Sequence, residues 1–297
     1  MKTPAISVIL PVHNRADVLA QAIQSVVDQR LADWELIVVD DGSTDESLAV
    51  ARSNCDERIR IVELGANRGG NIARNEGIRA AQASLIAFLD SDDTYLPEKL
   101  ERVVAIFKER PQLDLLVDSF VKVQPPGSRR ARVVRTNPVI TDREIFRKAL
   151  FTRQLWKATP AITAKRDAIV RAGFFDESLR RLQDFDLLIR ISEFANCAST
   201  DEVLWVKYWD GRSISAQDNM IPANIELCRR HPEFLRVAEY RPGFAHALRL
   251  SLWRRLKSAQ FGKAAGDVRN VAHAFGGRET MRLLAEAMRP RPGLRAD

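Results

Sequence analysis

Leu85-Ile86-Ala87-Phe88-Leu89-Asp90-Ser91-Asp92-Asp93 joins an apolar run of strand length to three carboxylates crowded into four positions. The apolar half reads as a buried strand, because it is short and offers no polar position to turn outward. The acidic half has no folding rationale. Like charges that close raise one another's pKa unless a cation neutralises them. A divalent metal is the simplest such cation, and hard carboxylate oxygens select Mg2+ or Mn2+.

Two further apolar runs end in polar groups: Ile6-Ser7-Val8-Ile9-Leu10 in Pro11-Val12-His13-Asn14, and Leu36-Ile37-Val38-Val39 in Asp40-Asp41-Gly42-Ser43. Between them, Val18, Leu19, Ala22, Ile23, Val26 and Val27 recur at helical spacing, and Ala73, Gly77, Ile78 and Ala81 do so more weakly. Alternating strand and helix predicts parallel strands joined by right-handed crossovers, so the polar clusters meet at the carboxyl ends of the strands. Ligands of open α/β sheets bind there. From Ile6 to about Val123 the pattern predicts five strands with intervening helices, the fourth helix starting at Pro97.

At 297 residues and 45% hydrophobic content, the chain can bury a core of one large domain or two. Cys55, Cys197 and Cys228 are widely spaced and odd in number, which predicts reduced, buried thiols and a cytoplasmic setting rather than a disulfide framework or a zinc site. The short first apolar run, broken by Pro11, does not fit a secretory signal, and no apolar segment approaches the roughly 20 residues that span a bilayer. Any membrane contact is then peripheral, at the inner face. Charge is lopsided: residues 1–120 hold 13 basic against 20 acidic groups, and residues 121–297 hold 33 against 19. An acidic half with a carboxylate cluster, followed by a basic half, suits an anionic substrate or an anionic membrane surface. Aromatics are too sparse among the basic groups for a nucleic-acid platform, so no nucleic-acid partner is expected.

Five blocks in series carry a resemblance: SVILPVHNRADVLAQAIQSVVDQ, ELIVVDDGSTDES, NRGGNIARNEGI, ASLIAFLDSDDTYLPEKL and LQDFDLLIRI. In this order and spacing the chain resembles glycosyltransferase family 2 over roughly residues 4–215. The resemblance implies an α/β fold of GT-A type, a mixed and mainly parallel sheet flanked by helices. It also implies a nucleotide-sugar donor such as a UDP-sugar, a divalent metal and transfer with inversion to a saccharide or lipid-linked acceptor. The corresponding domains are 1–215, with a nucleotide-sugar half at 1–123 and an acceptor and base half at 124–215, and a basic helical extension at 216–297.

Carried over by motif, Pro11, His13 and Asn14 lie beside the nucleotide base, unless His13 is a plain exposed loop residue. Asp41 accepts from the base imide, and Asp40 binds ribose or holds its loop. Arg74 meets base, ribose or phosphate, or else faces solvent from its helix. Asp90-Ser91-Asp92 matches the family's DXD motif, with Asp92 the direct metal ligand, Asp90 on ribose or the metal's water, and Ser91 turned away. An extended segment would aim both carboxylates at one ion. Asp93 is expected to cap the next helix. Gln183-Asp184-Phe185-Asp186 resembles the motif usually written Glu-Asp, which makes Asp184 the catalytic base or, alternatively, a helix N-cap. Asp186 has Arg190 four residues on and is expected to form a structural ion pair. Two readings from other classes are a non-catalytic nucleotide-sugar binder and a nucleotidyltransferase of similar fold, though the first strand lacks the latter's glycine-rich phosphate loop.

Beyond 215 the text turns helical. Phe244, Leu248, Leu252 and Leu256 mark a stripe with arginines beside it, suited either to packing on the catalytic domain or to an anionic lipid surface. The basic segment 124–132 reads as a surface loop and the tail from Arg289 to Gly293 as frayed.

Overall fold

A computed structural model describes residues 3–54, 56–125, 127–128, 130–208 and 220–288. Cys55 and the tail from Arg289 lie outside the described residues. The chain divides into two compact units, Met1–Arg147 with Leu155–Ser213, and Lys148–Gln154 with Ile214–Asp297.

The first unit follows the order β1 (Ile6–Val12), α1 (Ala16–Val27), β2 (Trp34–Asp40), α2 (Ser47–Arg52), β3 (Ile59–Glu63), α3 (Gly70–Ala80), β4 (Leu85–Phe88), β5 (Asp93–Tyr95), α4 (Lys99–Glu109), β6 (Leu115–Val123), β7 (Arg132–Arg135), α5 (Arg143–Phe151), β8 (Ile162–Lys165), α6 (Arg166–Arg171), α7 (Gln183–Ser192) and β9 (Cys197–Lys207). α5 runs across the boundary into the second unit's first segment. The strands form one sheet in the order β3-β2-β1-β4-β8-β6-β9-β5, with β7 paired to β6.

β1 pairs in parallel with β2 and with β4, and β2 with β3, the half of the sheet that the apolar runs predicted. All seven residues of β2 and all four of β4 are buried. Strands covered on both faces carry no alternation, which is why these runs are continuously apolar. β8 then enters antiparallel between β4 and β6, making the sheet mixed. Because Val12 is in register with Asp40 and Ile9 with Phe88, the loops after β1, β2 and β4 leave the sheet side by side.

α1 buries Leu19, Ala22, Ile23 and Val26, four of the predicted face. α3 lies hard against the sheet at Gly77, where a Cβ would come within 2.4 Å of the Ile9 Cγ2. Any side chain there would push the helix off β1, so the glycine sets how close α3 and its polar residues come to the strand ends.

Six strands occupy the stretch where five were expected. The extra one, β5, has three residues and pairs antiparallel with β9 more than 100 positions later. α4 begins at Lys99, two residues after Pro97. The basic segment 124–132 joins the antiparallel pair β6 and β7, with the Gln124 N–H donating to the Ala131 carbonyl at 2.9 Å. Cys197 and Cys228 are free buried thiols, and burial pushes the Cys197 thiol up to about 12.

The second unit contains α8 (Met220–Arg230), α9 (Glu233–Arg236), α10 (Arg241–Lys257), α11 (Phe261–Phe275) and α12 (Gly277–Met288). α10 packs against α8, α11 and α12. The expected stripe is divided, since Phe244 and Leu248 are fully buried whereas Leu256 is 52% exposed. No described helix is long and apolar enough to cross a membrane.

Candidate active site

The loops after β1 and β2 are tied together by side chains. Asn14, held at φ 52°, accepts the Thr44 N–H on its Oδ1 at 2.8 Å, and its own N–H donates to the Ser43 Oγ at 3.1 Å. Asparagine is among the few side chains that tolerate this left-handed conformation. Pro11 is the penultimate residue of β1, opposite Val39. The Asp41 carboxylate accepts the Arg68 N–H at 2.7 Å and the Gly69 N–H at 2.8 Å, just before α3. Gly42, at φ 67°, lets this turn approach the next loop, because a Cβ would lie 2.4 Å from the Ala66 carbonyl carbon. Asp40 accepts the Ser43 N–H through one oxygen at 3.1 Å.

Among the described residues, three buried polar atoms at this sheet edge have no hydrogen-bond partner: Nδ1 of His13, Oδ1 of Asp40 and Nε of Arg74. Buried polar atoms are satisfied in the great majority of cases, so three orphans at one edge mark a place for a polar ligand.

Arg74 does not face solvent. It is buried on α3 and pairs with Asp90 at 2.8 Å. The segment after β4 is a turn and not the extended run expected, since the Asp93 N–H donates to the Asp90 carbonyl at 3.1 Å. Asp90 and Asp92 are nonetheless close enough to interact. Burial first, then the Asp90 charge, hold the Asp92 carboxyl above its usual pKa, against the pull of Lys207 and Arg15. Ser91 is buried. Asp93 does not cap α4, which Glu98 precedes. It opens β5, fully buried, 3.4 Å from the Lys207 ammonium and accepting the Tyr208 N–H at 3.1 Å. The buried β5–β9 pairing overrides the local preference of Asp for a cap.

Asp184 lies in the first turn of α7, with Leu182 at the cap position. It is therefore not the N-cap. Its Oδ1 accepts the Phe185 N–H at 2.7 Å. Burial raises its pKa, with a further rise from Asp90, while Lys157 and Arg74 pull it down. Asp90 thus interacts with Arg74, Asp92 and Asp184, residues spread over 110 positions of chain. Asp186 is paired with Arg190 at 2.7 Å as expected, and that guanidinium also donates to the Phe174 carbonyl at 2.8 Å.

The loop leading to Asp184 is clamped by α3. Asn71 donates to the carbonyls of Asp176 at 2.8 Å and Leu179 at 2.6 Å. Asn75, one turn on, donates to the Phe175 carbonyl at 2.9 Å and accepts the Phe175 N–H at 3.0 Å. With Arg74 on the same helix, one rigid element fixes both Asp90 and the approach to Asp184. Asn75→Ala removes a two-way bond from a buried site, at a cost of about 1–3 kcal/mol. Because the loop is released while the edge formed by Asp40 and Asp41 is not, a reaction that uses Asp184 should lose about tenfold or more in kcat with KM near wild type. Steady-state kinetics at varied substrate check this, and an unchanged kcat removes the positioning role.

Residues 7–171, more than half of the chain, match the family described as Glycosyl transferase family 2. The chain belongs to that family. This family 2 chain is 41% identical over 103 residues to the succinoglycan biosynthesis protein ExoO of Rhizobium meliloti strain 1021, an alignment covering 35% of the chain and 30% of ExoO. It spans between 15% and 54% of the length of the first four curated relatives it matches. Its fold is of GT-A type. It superimposes on the mannosyltransferase PcManGT of Pyrobaculum calidifontis, solved with GDP-Man and Mn2+, with a TM-score of 0.62 at 18% identity, covering 96% of the chain and 79% of that protein. TarS 1–349 of S. aureus, solved with UDP-GlcNAc, gives 0.61 at 19% identity over 83% and 80%.

Sequence reasoning missed Arg15, Lys157 and Lys207, the cations that act on Asp92 and Asp184. Arg15 stands inside the first quoted block, directly after His13 and Asn14, and was within reach. Lys157 and Lys207 lie in no motif, and only the folded sheet brings them to the strand ends.

Proposed function

We propose that this family 2 chain is an inverting glycosyltransferase that moves a sugar from a nucleotide-sugar, a UDP-sugar in the first instance, to an acceptor hydroxyl in cell-surface polysaccharide or glycolipid synthesis. The observation that carries the reading is the Asp90 hub, whose carboxylate pairs with Arg74 and acts on both Asp92 and Asp184 at the orphan-lined sheet edge. ExoO's name and the nucleotide-sugars bound to PcManGT and TarS support the same class.

The residues fit a divalent cation shared with a diphosphate. Among the described residues no three His, Cys, Asp or Glu side chains gather as a complete ligand set. Asp92 and Asp90 supply two hard oxygens, and burial followed by the Asp90 charge raises the Asp92 pKa, a cost that a bound cation would relieve. An ion of the Mg2+ or Mn2+ type keeps waters and phosphate oxygens as its other ligands, so two carboxylates suffice. When bound, it would neutralise charge that develops on the leaving diphosphate.

His13, Asn14 and Pro11 flank the base, Asp41 and Asp40 line the nucleoside side, and Arg74 borders the phosphates. Asp184 takes the acceptor hydroxyl proton, and the oxygen forms its bond to the anomeric carbon as the bond from that carbon to the diphosphate oxygen breaks on the opposite face. Configuration inverts. A non-catalytic binder has no use for a half-enclosed carboxyl with a raised pKa beside the donor edge, which favours the transferase.

Incubation with UDP-sugars and GDP-mannose in Mn2+ should release the nucleoside diphosphate in the presence of acceptor. Thermal shift against the same donors should show stabilisation that needs the metal, about 2.7 kcal/mol at a hundredfold excess over Kd. Asp92→Asn is expected to abolish the metal-dependent part. Stabilisation by no donor, with or without metal, sinks the proposal.

A further inference from the structure

α10 has its polarity partly reversed. At 100° per residue, Phe244, Leu248 and Arg255 share the inward side and Leu250, Trp253, Arg254, Leu256 and Lys257 the outward side. The inward charge is matched: buried Arg255 meets Asp267 of α11 at 2.5 and 3.1 Å, and Ser251 donates to the same carboxylate at 2.7 Å. Among the described residues, nothing covers the outward apolar groups. Leu250 is 40% exposed, Trp253 55% and Leu256 52%, and Phe261, just beyond the helix, is 66% exposed. Folding gains nothing from a tryptophan in water on the outer face of a helical unit, so this patch marks a contact surface.

The charges around it say what covers it. α10 contains no Asp or Glu, and Arg249, Arg254 and Lys257 border the apolar groups, with the Lys257 ammonium 5.1 Å from the Trp253 ring. Residues 236–297 hold 13 basic against 5 acidic groups. A second copy presenting the same face would oppose positive to positive, and the arginine-rich segment after Met288 would be repelled likewise. An apolar centre with a tryptophan, rimmed by Arg and Lys, is the composition of helices that lie in the interface of an anionic bilayer.

We propose that the outward face of α10, with Phe261, docks the protein onto an anionic lipid bilayer. Leu250, Trp253, Leu256 and Phe261 enter the headgroup and acyl boundary while Arg254 and Lys257 meet lipid phosphates. The inference stands apart from the transferase reading, since it is read by binding and not by activity.

Flotation of the full chain with vesicles tests it, using phosphatidylcholine alone and phosphatidylcholine with about 30% phosphatidylglycerol, a range in which anionic lipid attracts about fivefold per basic residue. Binding is expected only to the anionic vesicles and should weaken as salt screens the charges. Arg254→Glu with Lys257→Glu should lower the partition coefficient by about 25-fold or more. Trp253→Ser with Leu256→Ser should lower it by about tenfold or more. All four side chains are exposed, so thermal unfolding of both variants should match wild type. No flotation with anionic vesicles at low salt, or equal flotation of Trp253→Ser/Leu256→Ser, overturns the proposal. So does self-association in sedimentation, or binding to single-stranded nucleic acid, that the same pair of substitutions removes while vesicle binding persists.

Discussion

Asp184→Asn is expected to lower kcat for sugar transfer by about 10²–10⁴-fold while leaving donor affinity near wild type. The substitution keeps the local structure: Asn retains an Oδ1 that can accept the Phe185 N–H, which Asp184 accepts at 2.7 Å in the first turn of α7. What it loses is basicity. Burial and Asp90 hold the Asp184 carboxyl above its usual pKa, and Lys157 and Arg74 limit the rise. A base works only when deprotonated, so the rate should decline as pH falls through that raised value, placing the acid limb of kcat above the usual carboxylate range. Donor binding measured by thermal shift should show no such limb at Asp184. Lys157→Met withdraws the larger of the two cations that depress this pKa, and the acid limb should move to higher pH with the plateau rate little changed. Full transfer activity in Asp184→Asn, against a wild type assayed beside it, removes the residue from the chemistry and leaves only the donor edge of the proposal standing.

The parts of this architecture that were legible are those written locally. β1, β2 and β4 announce themselves as continuous apolar runs because both faces of each are covered, and α1 by its spacing at Leu19, Ala22, Ile23 and Val26. The Asp186–Arg190 pair was readable since four residues is one helical turn. The parts that were not legible depend on partners far along the chain. β5 exists because β9 pairs with it, and Asp93 is a strand residue and not a cap because Lys207 and the Tyr208 N–H reach it there. The turn at Asp90 replaces the extended run for the same reason, as the chain bends from β4 to meet β9. Arg74 was read from its motif with a solvated helix face as the alternative, and it is the close seating of α3 at Gly77 that buries the side chain. In α10 the expected stripe of Phe244, Leu248, Leu252 and Leu256 is buried at Phe244 and Leu248 but exposed at Leu256, and Arg255 turns inward to Asp267, a pairing no spacing rule contains.

Stability should respond most to the buried ion pair of Lys99 and Asp118, which no spacing rule predicts. Both side chains are fully enclosed and in direct contact, and the Lys99 ammonium also donates to the Pro160 carbonyl at 2.9 Å and lies 4.8 Å from the Tyr95 ring. Burial pushes Asp118 up to about 6 despite Lys99, and it lowers the Lys99 pKa despite Asp118. Both directions say that desolvation outweighs attraction, so the pair is tolerated more than it is stabilising. Either single truncation leaves a buried charge alone, and Lys99→Met or Asp118→Ala should lower unfolding free energy by about 3–5 kcal/mol. The double variant Lys99→Met/Asp118→Leu removes both charges and should recover most of that loss. The pH dependence has a definite sign: a folded-state pKa raised above the unfolded one means that the folded chain holds the proton more tightly, so this group's contribution to stability falls as pH rises from about 4 to about 6 and is constant above. In Lys99→Met the uncompensated Asp118 rises further, which extends the window upward, and the variant should regain part of its stability when urea unfolding is moved from about pH 8 to about pH 5. Single variants that unfold within about 1 kcal/mol of wild type at both pH values would show that the charges are not isolated in the fold, and the double variant would then have nothing to restore.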